Sequence, residues 1–226
     1  MKLIASWSGG KDCCLAAHKT LQAGHRIEAL LNLMSEESGR CCFHGLPNAL
    51  LADQARALGI PISQKSVPAD MSTYEDGFKA AVRALKREHG IAGMVFGDIY
   101  LDEHKDWVER VCGELRITAL EPLWNRPPRD VANEFLEAGF TAVVVSCKAD
   151  LMGEEFVGRV IDARFLDEMA SGEICPCGEN GEFHTLVVDG PLFKRRIALT
   201  RTKPVLIKGF WQHWALDIQA WELQAK

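Results

Sequence analysis

A short glycine loop near the start of the chain constrains the fold more than any other stretch. An apolar run at residues 3–7 leads into residues 8–12, which read Ser-Gly-Gly-Lys-Asp, and the residues after them have a helical pattern. In the order strand, glycine turn, helix, the free N–H groups and the positive end of the helix dipole point at one spot. An anion can bind there, and the ammonium of Lys11 would add to the attraction.

The alternative interpretation of this loop is a plain glycine turn with a solvated lysine, but a hairpin would need a second strand where a helix is predicted. Two familiar phosphate loops are excluded. The Walker A pattern requires another glycine at a fixed distance before Gly10 and Lys11, and none stands there. The dinucleotide fingerprint G-x-G-x-x-G is absent as well.

The first half of the chain alternates strand and helix patterns. Further strands are predicted near residues 27–34, 60–67, 94–96 and 118–120, with helical spacing between them. Such repeats build a parallel sheet with helices on both faces, because the crossovers are right-handed. Ligands of these sheets bind beyond the carboxyl ends of the strands, so Gly97 and Asp98, after the fourth strand, could line one cleft with the glycine loop.

Three prolines at positions 122, 127 and 128 mark a break in this pattern. We therefore expect two domains, residues 1–125 and residues 126–226. The second part contains helical patterns near residues 130–138 and 162–169 and an apolar strand at 141–147. Its tail has strand-like runs at 185–188, 197–199 and 205–207, and clean alternation from 214 to 220. The fold class expected is thus α/β, with a smaller α+β domain at the C-terminal end.

Composition limits the partners. The net charge is −5 with no basic run, which argues against a nucleic-acid partner. No apolar stretch reaches 18 residues, and the first apolar run is too short for a signal peptide, so we expect neither a membrane span nor a leader. The eight cysteines suggest free thiols in the cytoplasm rather than a disulfide framework. Trp211, Trp214 and Trp221 could form a homo-oligomer interface or pack the second domain; we favour packing.

A second polar cluster lies at residues 175–185, which read Cys-Pro-Cys-Gly-Glu-Asn-Gly-Glu-Phe-His-Thr. On composition alone it could be an ordinary hydrophilic loop. Half a zinc site is a weaker alternative, because Cys-x-Cys is not the usual knuckle spacing and no second cysteine pair lies nearby.

Taken together, four motifs resemble the diphthine–ammonia ligase family of PP-loop ATP pyrophosphatases. They are residues 8–12, Gly-Asp-Ile at 97–99, Glu-Pro-Leu-Trp at 121–124, and residues 178–185; residues 54–61 also resemble the family. The resemblance implies a Rossmann-like (HUP-type) nucleotide-binding domain followed by a smaller one, with ATP and Mg²⁺ as cofactors. It also implies that a carboxylate attacks the α-phosphorus of ATP, releasing pyrophosphate, and that ammonia then displaces AMP from the acyl adenylate. The family's substrate is diphthine, a modified histidine on translation elongation factor 2.

The resemblance and the residue chemistry assign roles to particular side chains. Hydroxyl and backbone donors of the loop would hold the phosphates, and a lysine would neutralise charge on the leaving pyrophosphate. Carboxylates could bind Mg²⁺ or accept protons from ammonium. The predicted catalytic residues are Lys11, Asp98, Glu179 and Glu182. The predicted nucleotide-binding residues are Ser8, Gly9, Gly10, Lys11, Asp12, Cys13 and Gly97. Asn180 and His184 are predicted to orient the substrate, and Asp12 either contacts Mg²⁺ or caps the helix.

Some positions depart from the family pattern. Cys13 stands where the family has serine, and a thiol is a weaker hydrogen bonder, although its pKa should fall at a helix N-terminus. Residues 100–105 are more acidic than the family motif, and residues 41–45 have no assigned role. Three alternatives therefore stay open: a PP-loop enzyme acting on another small carboxylic acid or cofactor precursor, an RNA-thiolating enzyme that uses cysteine, and a nucleotide sensor without catalysis.

Overall fold

A parallel five-stranded sheet forms the first half of the protein. The computed structural model describes residues 1–42, 44–68, 71–208 and 212–226, without the side chains of residues 71 and 72. The strands are β1 Lys2–Ser6, β2 Arg26–Ser35, β3 Ile62–Val67, β4 Gly93–Val95 and β5 Thr118–Leu120. Their spatial order is β3-β2-β1-β4-β5, and every neighbouring pair is parallel. The predicted α/β sheet is confirmed.

Helices cover both faces of this sheet, because alternate strand residues point to opposite sides. On one face, Leu3 and Leu30 share a core with α1 Lys11–Gln22 and α2 Asn48–Leu58. On the other face, Ile4 and Leu31 pack with α3 Met71–His89 and α4 Asp102–Leu115. The carboxyl ends of β1 and β4 are neighbours in this arrangement, so the loops that follow them meet.

The second half is built on an antiparallel sheet. Its helices are α5 Pro128–Glu137, a single 3₁₀ turn at Glu154–Phe156, and α6 Ala163–Ser171. Its strands are β6 Thr141–Lys148, β7 Phe183–Asp189, β8 Arg195–Ile207 and β9 His213–Ala225, in the order β7-β6-β9-β8.

The tail differs from the prediction in one respect. The two short runs predicted at residues 197–199 and 205–207 belong to the single long strand β8, whose pairing with β9 continues through Lys203 and Pro204. The polar residues and the proline hid this continuity in the sequence. Proline is tolerated here because β8 is at the edge of the sheet.

The two halves share one hydrophobic core. Leu15 of α1 belongs to the same buried cluster as Phe135 of α5 and Leu186 of β7. Trp214 and Trp221 pack against this cluster, and the Trp221 indole N–H donates to Asp53 at 2.8 Å. Trp211 lies outside the described residues. The domain division at residues 125 and 126 and the homo-oligomer stay predictions. Within the described residues, no helix is long and apolar enough to cross a membrane.

Candidate active site

The glycine loop joins β1 to α1 in a conformation that larger residues could not adopt. Gly9 has a φ of +82°, and a Cβ there would lie 2.5 Å from Leu51 Cδ2. A Cβ on Gly10 would lie 2.6 Å from Cε1 of His44. The Ser8 hydroxyl accepts a hydrogen bond from the Gly10 N–H at 3.3 Å, which tightens the turn. The loop therefore brings the start of α1 to the carboxyl end of β1, as the sequence predicted.

Lys11 opens helix α1, and its side chain is buried. Its Nζ lies 2.9 Å from Asp12 Oδ2 and also donates to the carbonyl of Cys177. Burial opposes the charged form, but the carboxylate of Asp12 and that of Glu179 outweigh it, so the pKa of Lys11 lies above its ordinary value. The ammonium is thus held charged between the glycine loop and the polar loop of the second half.

Gly97 sits where the end of β4 meets the start of α1. A Cβ at this position would lie 2.8 Å from both the Asp12 carbonyl carbon and the Cys13 nitrogen. Those are backbone atoms, which side-chain rotation cannot move aside. Gly97 therefore permits the close approach of the two elements, and this gives it a structural role besides the predicted nucleotide contact.

Asp98, His104 and Glu179 converge beyond the end of β4. One ligand atom from each residue lies within 4.8 Å of the others. Asp98 Oδ1 is 3.0 Å from His104 Nδ1, and Glu179 Oε1 accepts from the Ile99 N–H at 2.9 Å. Burial, then the charges of Asp12 and Asp98, raise the pKa of Glu179. Two carboxylates and one imidazole are a donor set that fits a divalent cation.

His104 was not among the predicted site residues. His104 belongs to the acidic stretch at residues 100–105, where the sequence departs from the family pattern. It lies in the first turn of α4, and this position brings its ring next to Asp98. Asp12, the predicted Mg²⁺ contact, is not in this group, and its Oδ2 pairs with Lys11 instead. The carboxylates of Asp12 and Asp98 nevertheless interact. Burial and the charge of Asp98 together raise the pKa of Asp12 by more than Lys11 lowers it.

Glu182 is oriented toward its own loop. Its carboxylate accepts hydrogen bonds from the backbone N–H groups of Asn180 at 2.9 Å and Cys175 at 3.3 Å, and from the Asn180 side-chain amide at 3.0 Å. The same amide donates to the Tyr100 hydroxyl at 3.0 Å. Glu182 therefore stabilises the conformation of its own loop, and Asn180 links that loop to Tyr100 of the first half.

Two imidazole rings contact each other next to the glycine loop, with their planes tilted by 39°. The rings of His44 and His184 have centroids 4.6 Å apart, and Nδ1 of His44 donates to the Thr185 carbonyl at 3.0 Å. Burial, followed by the charge of Lys11, lowers the pKa of His184 to about 4. Burial and the neighbouring His184 also lower the pKa of His44 well below its ordinary value. Both rings are therefore neutral at physiological pH.

Gln54 is a site residue that sequence reasoning missed. It is completely buried, and its amide donates to the carbonyls of Gly9 at 3.0 Å and Val187 at 2.7 Å. Its oxygen accepts from the Trp7 indole at 2.9 Å. The stretch 54–61 contributed to the family resemblance, but nothing in it distinguished Gln54 from an exposed helical glutamine.

Cys13 has the lowered pKa that its position predicted. Burial raises the thiol pKa, but hydrogen bonds with Cys14 and Ser8 and with loop backbone groups lower it by more. Its Sγ lies 3.2 Å from the Gly10 carbonyl oxygen, to which the thiol can donate. The reactivity of this thiol stays a prediction.

Two neighbouring cavities open beside the loop. One, of about 130 Å³, is lined by residues that include Ser8 and Asn32. The other, of about 340 Å³, lies along Asp98 and His104 and is lined by several aromatic rings. Both share Ser6, Tyr74 and Phe78. Aromatic walls next to an anion-binding loop suit a nucleotide base joined to its phosphates.

The fold and the site together define an α/β protein of the Rossmann-like class, with its polar groups at the carboxyl ends of β1 and β4. The family model for the diphthamide synthase N-terminal domain matches residues 1–119, and that for the C-terminal domain matches residues 127–219. The chain belongs to the diphthamide synthase family, which confirms the resemblance seen in the sequence.

Curated relatives agree with this assignment. A zebrafish (Danio rerio) protein named diphthine–ammonia ligase is 27% identical, and the alignment covers 91% of this chain and 89% of the zebrafish protein. The human protein of the same name is 26% identical, and the alignment covers 91% of this chain and 85% of the human protein. The fission yeast (Schizosaccharomyces pombe) protein of that name is 26% identical, and 36% of its length is covered. A solved structure, titled a predicted subunit of tRNA methyltransferase from Methanocaldococcus jannaschii, aligns over 84% of this chain and 98% of its own at a TM-score of 0.47 and 16% identity. Similarity that low carries no functional argument.

Proposed function

We propose that this protein is an ATP-dependent ligase that adenylates a carboxylate and then transfers ammonia to it, forming an amide. The observation that carries the proposal is the meeting of the glycine loop, Lys11 and the group Asp98, His104 and Glu179 at the carboxyl ends of β1 and β4. Phosphate-binding donors and cation ligands thus stand side by side, as transfer of an adenylyl group requires. Relatives named diphthine–ammonia ligase support the same reaction class.

The loop is assigned to the triphosphate. The start of α1 offers backbone N–H groups and the dipole, Ser8 offers a hydroxyl, and Lys11 offers a fixed positive charge where the leaving pyrophosphate becomes more negative. Gly9 and Gly10 let the backbone approach the phosphates, and Cys13 would contribute its N–H rather than its thiol. The base would lie in the aromatic cavity beside Ser6 and Tyr74.

Mg²⁺ is assigned to Asp98, His104 and Glu179, with Asp12 next to them. Their donor atoms already lie within 4.8 Å of one another, and two of the three residues carry the oxygen ligands that Mg²⁺ prefers. When bound, such an ion neutralises phosphate charge. The residues themselves bring the two halves together, since Glu179 comes from the second half and bonds the Ile99 N–H of the first.

The acceptor carboxylate is assigned to the region of Asn180 and His184, next to the loop. The neutral rings of His44 and His184 can donate and accept hydrogen bonds without adding charge. Glu182 is assigned to holding this loop rather than to chemistry. The relatives' name makes diphthine on a protein the leading acceptor, and the free thiols of all eight cysteines support action in the cytoplasm.

Product analysis tests the reaction class. With ATP, Mg²⁺, ammonium and the acceptor present, we expect AMP and pyrophosphate; ADP and phosphate would refute the proposal. Lys11→Met should lower turnover by about 100-fold or more, because it removes a preorganised charge. Lys19→Met is the matched control: Lys19 lies on the same helix, pairs with Glu134 and should leave turnover unchanged.

Varying the acceptor tests the substrate. An elongation factor bearing diphthine should support AMP formation, and one without the modification should not. If AMP and pyrophosphate form only with another carboxylic acid, the ligase chemistry stands and diphthine is wrong. ATP binding without turnover on any acid tried would instead favour a sensor.

A further inference from the structure

A third cavity lies at the β5 edge of the parallel sheet, apart from the glycine loop. Its volume is about 600 Å³. It is bounded by α4, the edge strand β5 and the segment after β5. The residues that matter here are Lys105, Glu109, Glu121 and Trp124. None of them has a part in the adenylation site described above.

The carboxylate of Glu121 is incompletely satisfied. Its side chain is 7% exposed, and its Oε2 lies 3.4 Å from Lys105 Nζ. Its Oε1 is buried and has no hydrogen-bond partner in the part of the chain that the structure describes. A buried carboxylate oxygen without a donor is costly, so this position lacks one donor.

The charge around Glu121 is also unbalanced. Lys105 is shared, because its Nζ is 3.1 Å from Glu109 Oε1 as well as 3.4 Å from Glu121. One ammonium therefore faces two carboxylates, and the site has room for one more positive charge. An anionic ligand would be repelled here.

Lys105 shows what kind of group fits the cavity. Its ammonium lies 4.7 Å from the centroid of the Trp124 ring, a cation–π contact, with the Glu121 carboxylate beside it. The Lys105 side chain is 29% exposed and sits on a flexible stem, so it can leave and expose the same surface.

We propose that this cavity binds an organic cation of the alkylammonium class, which displaces the Lys105 ammonium from Trp124 and hydrogen-bonds to Glu121. The ligand would supply the donor that Glu121 Oε1 lacks, and its alkyl part would lie along the apolar wall of Ile117 and Ala119. The proposal does not depend on the ligase reaction.

Calorimetric titration with n-butylammonium chloride at constant ionic strength tests the proposal, with n-butanol as the uncharged probe. In wild type, Lys105 competes with the probe. Lys105→Ala removes the competitor and should bind n-butylammonium at least about tenfold tighter, as expected when one charge-assisted contact no longer has to be broken. Glu121→Gln should weaken binding about tenfold or more, and Trp124→Leu by about 2- to 30-fold, the range of a cation–π contact.

Glu137→Gln is the matched control, since Glu137 is exposed on α5 and does not line the cavity, and it should change affinity less than about threefold because salt screens a distant surface charge. Lys105→Ala changes a helix-surface residue and decides the question even if Glu121→Gln does not fold. The proposal is overturned if Lys105→Ala binds the probe no tighter than wild type. It is equally overturned if n-butanol binds as well as n-butylammonium, or if folded Glu121→Gln binds like wild type.

Discussion

Gly97→Ala is the substitution that should best separate the geometry of the glycine loop from its chemistry. The new methyl would start 2.8 Å from the Asp12 carbonyl carbon and the Cys13 nitrogen. Carbon contacts relax to about 3.5–4.0 Å, so the start of α1 or the end of β4 must move by roughly 0.7–1.2 Å. Gly97 is not among the glycines with positive φ, so the cost comes from contact alone.

Overpacking of this kind costs about 1–3 kcal/mol of unfolding free energy. For a chain of this size that corresponds to a fall in Tm of roughly 2–12 °C, at about 2–4 °C per kcal/mol. The displaced backbone carries the N–H groups assigned to phosphate. Misalignment that costs about the free energy of one hydrogen bond to phosphate should therefore weaken ATP binding by about tenfold.

Urea unfolding and calorimetric titration with ATP measure the two effects. Gly113→Ala is the control, because Gly113 lies within α4 and a Cβ there meets nothing within 4 Å. It should raise the unfolding free energy by up to about 1 kcal/mol through helix propensity. If Gly97→Ala is as stable as wild type and binds ATP equally well, the close approach of β4 to α1 is not what positions the loop.

Three other substitutions test the surroundings of the loop. Gln54→Leu should lower the unfolding free energy by about 3 kcal/mol in urea unfolding, because buried partners lose their hydrogen bonds, whereas exposed Gln22→Leu should change it by less than about 0.5 kcal/mol. Glu182→Gln should lower the unfolding free energy by about 1–3 kcal/mol and speed proteolysis within residues 175–185, because an amide nitrogen would then face backbone N–H donors. The control Glu103→Gln, at an exposed position, should change neither the unfolding free energy nor the rate of proteolysis. For His184 the folded pKa of about 4 lies below the ordinary 6.5, so the unfolded chain binds more protons between these values and stability falls as pH drops from 6.5 toward 4. His184→Gln should flatten that decline, by at most about 3 kcal/mol, in urea titrations at pH 7 and pH 4.5, and an unchanged pH profile would contradict the pKa assignment.

Local signals in the sequence account for most of the predicted fold. The glycine loop, the strand and helix periods and the proline break are all properties of short windows. The parallel sheet, its helices and the mixture of helices and strands in the second half followed from them, whereas the antiparallel order of that second sheet did not. At Pro204 the local pattern was misleading, because pairing with Leu216 of the next strand, β9, outweighs the low strand preference of proline. The strand-end rule placed Asp98 at the cleft and the family motifs added Glu179, and the structure brings these two residues together.

Two of the residues that sequence reasoning missed, His44 and Gln54, act over long sequence separations. His44 meets Thr185, and Gln54 meets Val187, across more than half of the chain. No pattern within a window distinguishes such a histidine or glutamine from a solvated one. For the same reason Glu179 and Glu182 looked alike in the sequence, although one faces the first half and the other its own loop.

Hydrogen bonds from the second half of the chain hold the glycine loop of the first half in place. The Gly9 carbonyl accepts from the Val187 N–H at 2.9 Å and from the Gln54 amide at 3.0 Å, so strand β7 fixes the peptide that precedes Gly10. The Lys11 N–H donates to the Thr185 hydroxyl at 3.1 Å, which occupies one of the donors at the start of α1. The Gly10 N–H donates to the Ser8 hydroxyl at 3.3 Å, so contacts within the loop and from β7 together fix its backbone. The second half therefore holds the backbone of the loop that we assign to phosphate, so the loop motif depends on residues of β7 for its conformation.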